Sequence, residues 1–503
     1  MTDTATLYRD LLQRAAVLSD LQQVSTLLFW DQETHLPRGA AEARGQQKAT
    51  VGTIVHERLT DPALGELVEV LEAAGLPGGS VEAAAVRQMR RSIDRAARLP
   101  VALVEELEKH TARSRAVWER AREERDFRAF APELERTVEL KRQEAEALGY
   151  DDHPYDALHD LFEPGSTTAR LREVFTPLRR ETAELVRAIG ASGRMVDDRV
   201  LHQPFDEGAQ HRLALDTVRA FGYDLEHGRL DVSVHPFTEA MSKYDVRITT
   251  RYDAQGFAMA LFGAMHEAGH ALYEQGIEDG YYRTPLEDAA GLGIHESQSR
   301  LWENLVGRSR DYWEGAFPKL QRIFPQQLGG VPLETFYAAI NKVEPSFVRV
   351  DADEVTYNLH VMLRFELEQA LISGDLSVAD LPTAWNDFMR DALGIAPPND
   401  ALGVLQDVHW SAGHFGYFPT YTLGNLMSVQ LFEAAKAAHP ALAQEIREGR
   451  FATLLGWLRE NVHRHGARYL PDELLKRATG SELDAGPYLA YLRRKYGEIY
   501  ALT

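Results

Sequence analysis

FAMALFGAMHEAGHALYEQGI, residues 257–277, is the stretch from which the rest of the chain is best read. It is rich in Ala and Leu, free of proline, and repeats apolar residues three and four apart, so it predicts an α-helix. Within it stands His266-Glu267-Ala268-Gly269-His270. Residues four apart on a helix lie one above the other, so both imidazoles project from one face and can grip a single cation. Glu267 is turned by about 100° from His266, beside the cation and outside its immediate ligands. That is where a base for an activated water belongs. Two histidines leave a zinc-type site one protein ligand short, with a further position kept open for water.

The flanks extend this reading in both directions. Upstream, LDVSVHPF and YDVRITTRY, within residues 230–252, alternate apolar and polar residues through Val232, Val234, Val246 and Ile248, and predict short strands bordering the motif helix. Downstream, a loop rich in Gly and acids, Gly276–Gly293, leads to a second helix beginning at His295-Glu296-Ser297-Gln298. The missing ligand should be a carboxylate or imidazole, because the chain has no cysteine. Glu296 lies 26 residues after His270, far enough for a turn and a return. Glu287, Asp288 and His295 compete for the role, and Glu296 also forms an ordinary surface pair with Arg300 four residues on.

Beyond these flanks the pattern is helical, as in LYRDLLQRAAVLSDLQQVSTLLFW (7–30) and VALVEELEKHTARSRAVWERARE (101–123). Helix stops fall at Pro37, Gly75–Ser80, Pro100, Pro164–Ser166, Gly190 and Gly193. No repeat or low-complexity tract interrupts the pattern, so a mainly α body with a small β-sheet near 230–252 is expected. The arginines 87, 90, 91, 95 and 98 read as a solvated helix face paired in part to Asp94, with capture of an anion or peptide as the alternative. With 503 residues, 44% of them hydrophobic, there is ample material for a large core. A net charge of −21 argues against nucleic acid as a partner. The absence of cysteine excludes disulfides, thiolate metal sites and a cysteine nucleophile. The amino-terminal MTDTATLYRDLLQR shows no secretory signal, and no apolar run approaches the roughly 20 residues of a membrane span. A soluble, cytoplasmic protein is expected.

Five stretches recur in an order that resembles the carboxypeptidase Taq family of metallocarboxypeptidases. They are His235-Pro236-Phe237, Asp245-Val246-Arg247-Ile248-Thr249, His266 to His270, His295-Glu296-Ser297-Gln298, and Gly403-Val404-Leu405-Gln406-Asp407-Val408-His409-Trp410. Trp30-Asp31-Gln32-Glu33-Thr34 and the stretch from Glu344-Pro345-Ser346 through Arg349 to Asp353-Glu354 extend the likeness over nearly the whole chain. The resemblance implies a helical fold related to neurolysin and angiotensin-converting enzyme. It implies one peptidase domain over residues 1–503, its two lobes lining a deep groove with the helices of about residues 1–125 as a lid, and a homodimer. It also implies His266, His270 and Glu296 as metal ligands and Glu267 as the catalytic base. Zn²⁺ suits such a donor set, one ion per chain, with Co²⁺ or Mn²⁺ also able to fill it.

The remaining roles follow from the chemistry of removing one carboxy-terminal residue. An oxyanion needs donors, and the run from His409 to Tyr421 is dense in His, Tyr and Gly; similarity to neurolysin-like peptidases points to His409 and Tyr421, with aromatic core packing around satisfied polar tips the alternative for each. A free carboxylate is read in bidentate fashion by a guanidinium. Arg349 and Arg247 are the candidates, with His235 closing the groove. Each arginine has a structural alternative, Arg247 pairing with Asp245 and Arg349 with Asp351 or Asp353. The expected function is a metal-dependent carboxypeptidase acting on peptides. An oligopeptidase cutting internal bonds and a non-enzymatic helical scaffold are the competing readings.

Overall fold

Several helix starts follow local chemistry in the computed structural model, which describes residues 3–502. Asp61 accepts from the Ala63 N–H just ahead of Pro62, Thr167 accepts from Arg170, and Ser309 accepts from Tyr312. Each thereby satisfies an otherwise orphaned backbone donor in a first helical turn. The predicted stops at Pro37 and Pro100 stand at helix starts, and the Gly75–Ser80 stretch separates the helices Pro62–Ala73 and Val81–Arg98.

The chain divides into two compact units, each assembled from three stretches. The first comprises the chain up to Ala97, Asp197–Ile340 and Gln430–Glu482; the second comprises Arg98–Val196, Asn341–Val429 and the chain from Leu483 on. The first unit holds an aromatic core in which Trp302 and Phe221 lie 4.6 Å apart between ring centroids, and Trp313 packs edge-on against Phe336 at 4.7 Å. The second is built around Tyr155, Phe175, Phe365, Trp385 and Trp410, all buried.

The sheet belongs to the first unit. It contains β1 (Gly228–Val232), β2 (Thr238–Ser242) and β3 (Asp245–Thr250), in the order β1-β3-β2. β3 is central, parallel to β1 and antiparallel to β2. Val246 and Ile248 are fully buried, as their alternation predicts. Val232 and Val234, in contrast, are 56% and 71% exposed, because β1 is an edge strand and Val234 lies beyond its end. β2, Thr-Glu-Ala-Met-Ser, was not expected; it carries none of the apolar alternation that marks a strand.

The motif helix spans Ala258–Glu274 and is rooted by Phe257, which is fully buried against Phe205 and Phe324 at 5.0 and 5.7 Å. The second helix runs Leu292–Arg300, three residues earlier than expected, since Gly291 and Gly293 mask its start. It continues as wider π-type turns over Leu301–Gly307. Among the described residues, no helix is long and apolar enough to cross a membrane.

Candidate metal centre

The centre depends on how closely two helices approach. A Cβ placed on Gly269 would lie 2.5 Å from both the Gln298 carbonyl oxygen and the Ser299 Cα. Glycine in the middle of the motif therefore lets the helix Leu292–Arg300 lie directly against the motif helix. That contact carries Glu296 to the two histidines. Its Oε2 stands 3.5 Å from His266 Nε2 and 3.3 Å from His270 Nε2. Ligands held at 2.0–2.1 Å on a tetrahedral ion are separated by about 3.4 Å. Two imidazole nitrogens and a carboxylate oxygen at this spacing fit a divalent ion.

Glu296 divides its partners between its two oxygens, with Ser299 Oγ donating to Oε2 at 3.0 Å. Oε1 accepts from Arg300 Nε at 2.6 Å, which realises the surface-type pair, while Oε2 faces the histidines. Burial pushes its carboxyl up, but Arg300 and His266 hold it well below the usual carboxylate range. Of the rival ligands, Glu287 accepts from Ser19 and from the Arg283 N–H, and Asp288 accepts from Ala289. His295 turns Nδ1 to the far nitrogen of His270, at 2.5 Å, and Nε2 to Glu274 at 2.7 Å.

Glu267 is 6% exposed beside this cluster. Thr238 Oγ1 lies 2.7 Å from its Oε2 and 2.9 Å from its carbonyl oxygen. Burial raises the Glu267 pKa, opposed by His266 and by the Thr238 hydroxyl. Thr238 lies on β2, the strand with no signature in the sequence. Glu303 was also missed; its Oε2 lies 3.0 Å from His266 Nδ1. Although burial opposes its charge, His266, Arg308 and Arg300 bring its pKa down to about 2. Its available signal was its position seven residues after Glu296, two helical turns onward on nearly the same face.

The other predicted residues divide between the two units. In the first, Arg247 grips Asp245 through Nε and Nη2 at 2.8 and 2.7 Å and lies 4.4 Å over the Trp30 ring; His235 is exposed between β1 and β2. In the second, Arg349, His409 and Tyr421 come together. Arg349 is 5% exposed and donates to Asp407 Oδ1 through Nε and Nη2 at 3.1 and 2.9 Å. Its carboxylate partner is therefore Asp407 instead of Asp351 or Asp353; Asp353 is engaged in accepting from Val355 and Thr356. Arg364 grips the other Asp407 oxygen, and Gln406 accepts from the Arg349 backbone. Tyr421 lies 5.0 Å from the Arg349 guanidinium, and burial lowers the His409 pKa to about 3, leaving a neutral ring.

The sequence signature of carboxypeptidase Taq (M32) metallopeptidases matches residues 10–496. Thermostable carboxypeptidase 1 of Thermus thermophilus is 45% identical, over 98% of this chain and 99% of that protein. Carboxypeptidase 1 of Bacillus subtilis is 39% identical over 98% of each. The crystal structure of an M32 carboxypeptidase from Deinococcus radiodurans R1 covers 99% of this chain and 100% of its own, at 42% identity and a TM-score of 0.95. These relatives favour neither the internal-cutting reading nor the scaffold reading. The protein is accordingly a metal-dependent enzyme, and it belongs to the carboxypeptidase Taq family of metallocarboxypeptidases.

Proposed function

We propose that the protein removes single residues from the carboxyl end of peptides at a centre in which His266, His270 and Glu296 hold one divalent ion and Glu267 is the base. The observation that carries this reading is the convergence of three donor atoms within 4.8 Å of one another. When bound, the ion supplies Lewis acidity, polarising the scissile carbonyl and making water nucleophilic near neutral pH. Glu267 takes the proton of the attacking water on its carboxylate and returns it to the departing amine. The Thr238 hydroxyl holds that carboxylate in place during both transfers. Neutral His409 and the phenol of Tyr421 are the proposed donors to the oxyanion.

Of the two arginines, Arg349 is the better reader of the substrate carboxylate. Arg247 is matched one to one by Asp245, whereas Arg349 and Arg364 share the single charge of Asp407. The second cluster therefore keeps an excess positive charge in a buried place, which attracts an anion. Zn²⁺ is the proposed ion, with Co²⁺ or Mn²⁺ able to substitute, and the enzyme is proposed to act as a cytoplasmic homodimer. Metal content and chelator-reversible peptidase activity test the core of the reading, on wild type and on Glu267→Gln. The variant should retain ion and fold and lose turnover; unchanged turnover would refute Glu267 as the base. Mass spectrometry of digests should show a ladder losing one carboxy-terminal residue per step. Equal cleavage of a peptide and its carboxyl-amidated form would refute the carboxylate reader.

A further inference from the structure

A histidine that binds an ion through Nε2 must carry its proton on Nδ1, and that proton needs an acceptor. For His266 the acceptor is the Glu303 carboxylate, which can only accept. For His270 the neighbour is the ring of His295, with Nδ1 facing Nδ1 at 2.5 Å. An imidazole nitrogen can donate or accept, so this contact alone leaves the proton's direction open. The reversed direction has a competing reward. It would put the His270 proton on Nε2, pointing at Glu296 Oε2 3.3 Å away, where an N–H would satisfy the carboxylate and displace the lone pair the ion requires.

Glu274 decides between the two. Its carboxylate lies 2.7 Å from His295 Nε2 and can only accept, so in the neutral ring the His295 proton sits on Nε2 and Nδ1 is left as an acceptor, the form that the Nδ1 proton of a metal-bound His270 requires. We propose that the His295–Glu274 pair is a positioning device that sets the tautomer of His270 and so aims its Nε2 lone pair into the metal site. This inference rests on the three-ligand centre proposed above. Both members sit on the two helices that carry the ligands. Glu274 is one turn past His270, at the end of the motif helix, and His295 directly precedes Glu296. Tyr273 packs on the His295 ring at 5.3 Å between centroids and is itself stacked on buried His463 at 5.2 Å, which holds the relay in register. The two ligand histidines are thus set differently, one by an anion directly and one by an anion acting through a second imidazole.

The test is Zn²⁺ affinity of the full chain, measured at a fixed neutral pH by competition with a chromophoric chelator, beside the thermal midpoint of the metal-free protein. His295→Phe keeps the ring volume and removes the acceptor; it should weaken Zn²⁺ binding about 10- to 100-fold, the usual range for loss of an outer partner. His295→Asn places an amide oxygen where Nδ1 stood and should recover most of that affinity. Glu274→Gln can donate as well as accept, so it should show a smaller loss. Wild-type affinity in His295→Phe overturns the proposal. So does an Asn variant that binds as weakly as the Phe variant while both metal-free midpoints fall together, which would mark a purely structural role. A wild-type chain that binds no stoichiometric Zn²⁺ overturns the three-ligand centre itself, and the relay with it.

Discussion

Burial favours the proton of Glu267, while His266 and the Thr238 hydroxyl favour its charge. A base must be deprotonated to act, so Thr238→Val should raise the Glu267 pKa and move the acid limb of the kcat/KM profile to higher pH. Loss of one hydrogen bond to a charged group, about 1.5 kcal/mol, should also lower kcat roughly tenfold with little change in KM. An acid limb that stays in place would show that the hydroxyl does not act on the base. At the proposed carboxylate reader, Arg349→Met should reduce the preference for free over amidated peptide about 10- to 100-fold, the range expected for a charge-assisted contact. Arg247→Met should leave that ratio nearly unchanged, because its guanidinium is already matched by Asp245. The reverse ranking in competition assays would exchange their roles.

Between elements, one missing side chain governs the contact that completes the centre. Gly269→Ala brings a methyl against backbone atoms of Gln298 and Ser299 at 2.5 Å, and backbone cannot step aside as a flexible side-chain tip can. The helix Leu292–Arg300 should be displaced, with about 1–3 kcal/mol of overpacking strain and loss of stoichiometric metal. Urea midpoints and metal analysis check both effects; a variant that retains metal at wild-type affinity would show that the helices tolerate a wider spacing. The π-type turns that follow carry Glu303 to His266 and Arg308 to Glu303. Wider turns of this kind often accompany functional sites, here by shifting the angular position of a side chain on an otherwise regular helix.

In the whole molecule, acid stability should reflect buried neutral histidines of the second unit. Burial lowers the pKa of His159 to about 4 and those of His360 and His409 to about 3. Unfolding returns each to about 6.5, so the unfolded chain binds more protons between these values. Their contribution is complete above about pH 6.5 and is lost as pH falls toward 4 and below, by about 1.4 kcal/mol per pH unit for each histidine. His360→Leu should remove one proton from the uptake, seen as a shallower dependence of the urea midpoint on pH. An equal slope in variant and wild type would contradict the assignment. Metal removal acts on stability by mass action, and an ion present at 1,000 times its dissociation constant adds about 4 kcal/mol to the folded state. Chelation should therefore lower the thermal midpoint, and readdition of Zn²⁺ should restore it.

What short-range geometry controls is legible in the order of residues alone. Helical spacing puts His266 and His270 on one face with Glu267 beside them, and the order of motifs leads to the family. Alternation located Val246 and Ile248 in a buried strand. Which groups meet across the chain follows from packing. Thr238 reaches Glu267 from a strand whose residues carry no periodic signal, and Asp407 joins Arg349 to Arg364 across a gap of 58 residues on one side and 43 on the other. His295, one of several possible ligands by spacing, became an outer partner because the packing at Gly269 turns Glu296 toward the histidines and leaves His295 facing Glu274. The physical reason is range. A helix repeats its own rules every few residues, whereas a hydrogen bond between distant segments exists only after the segments have packed.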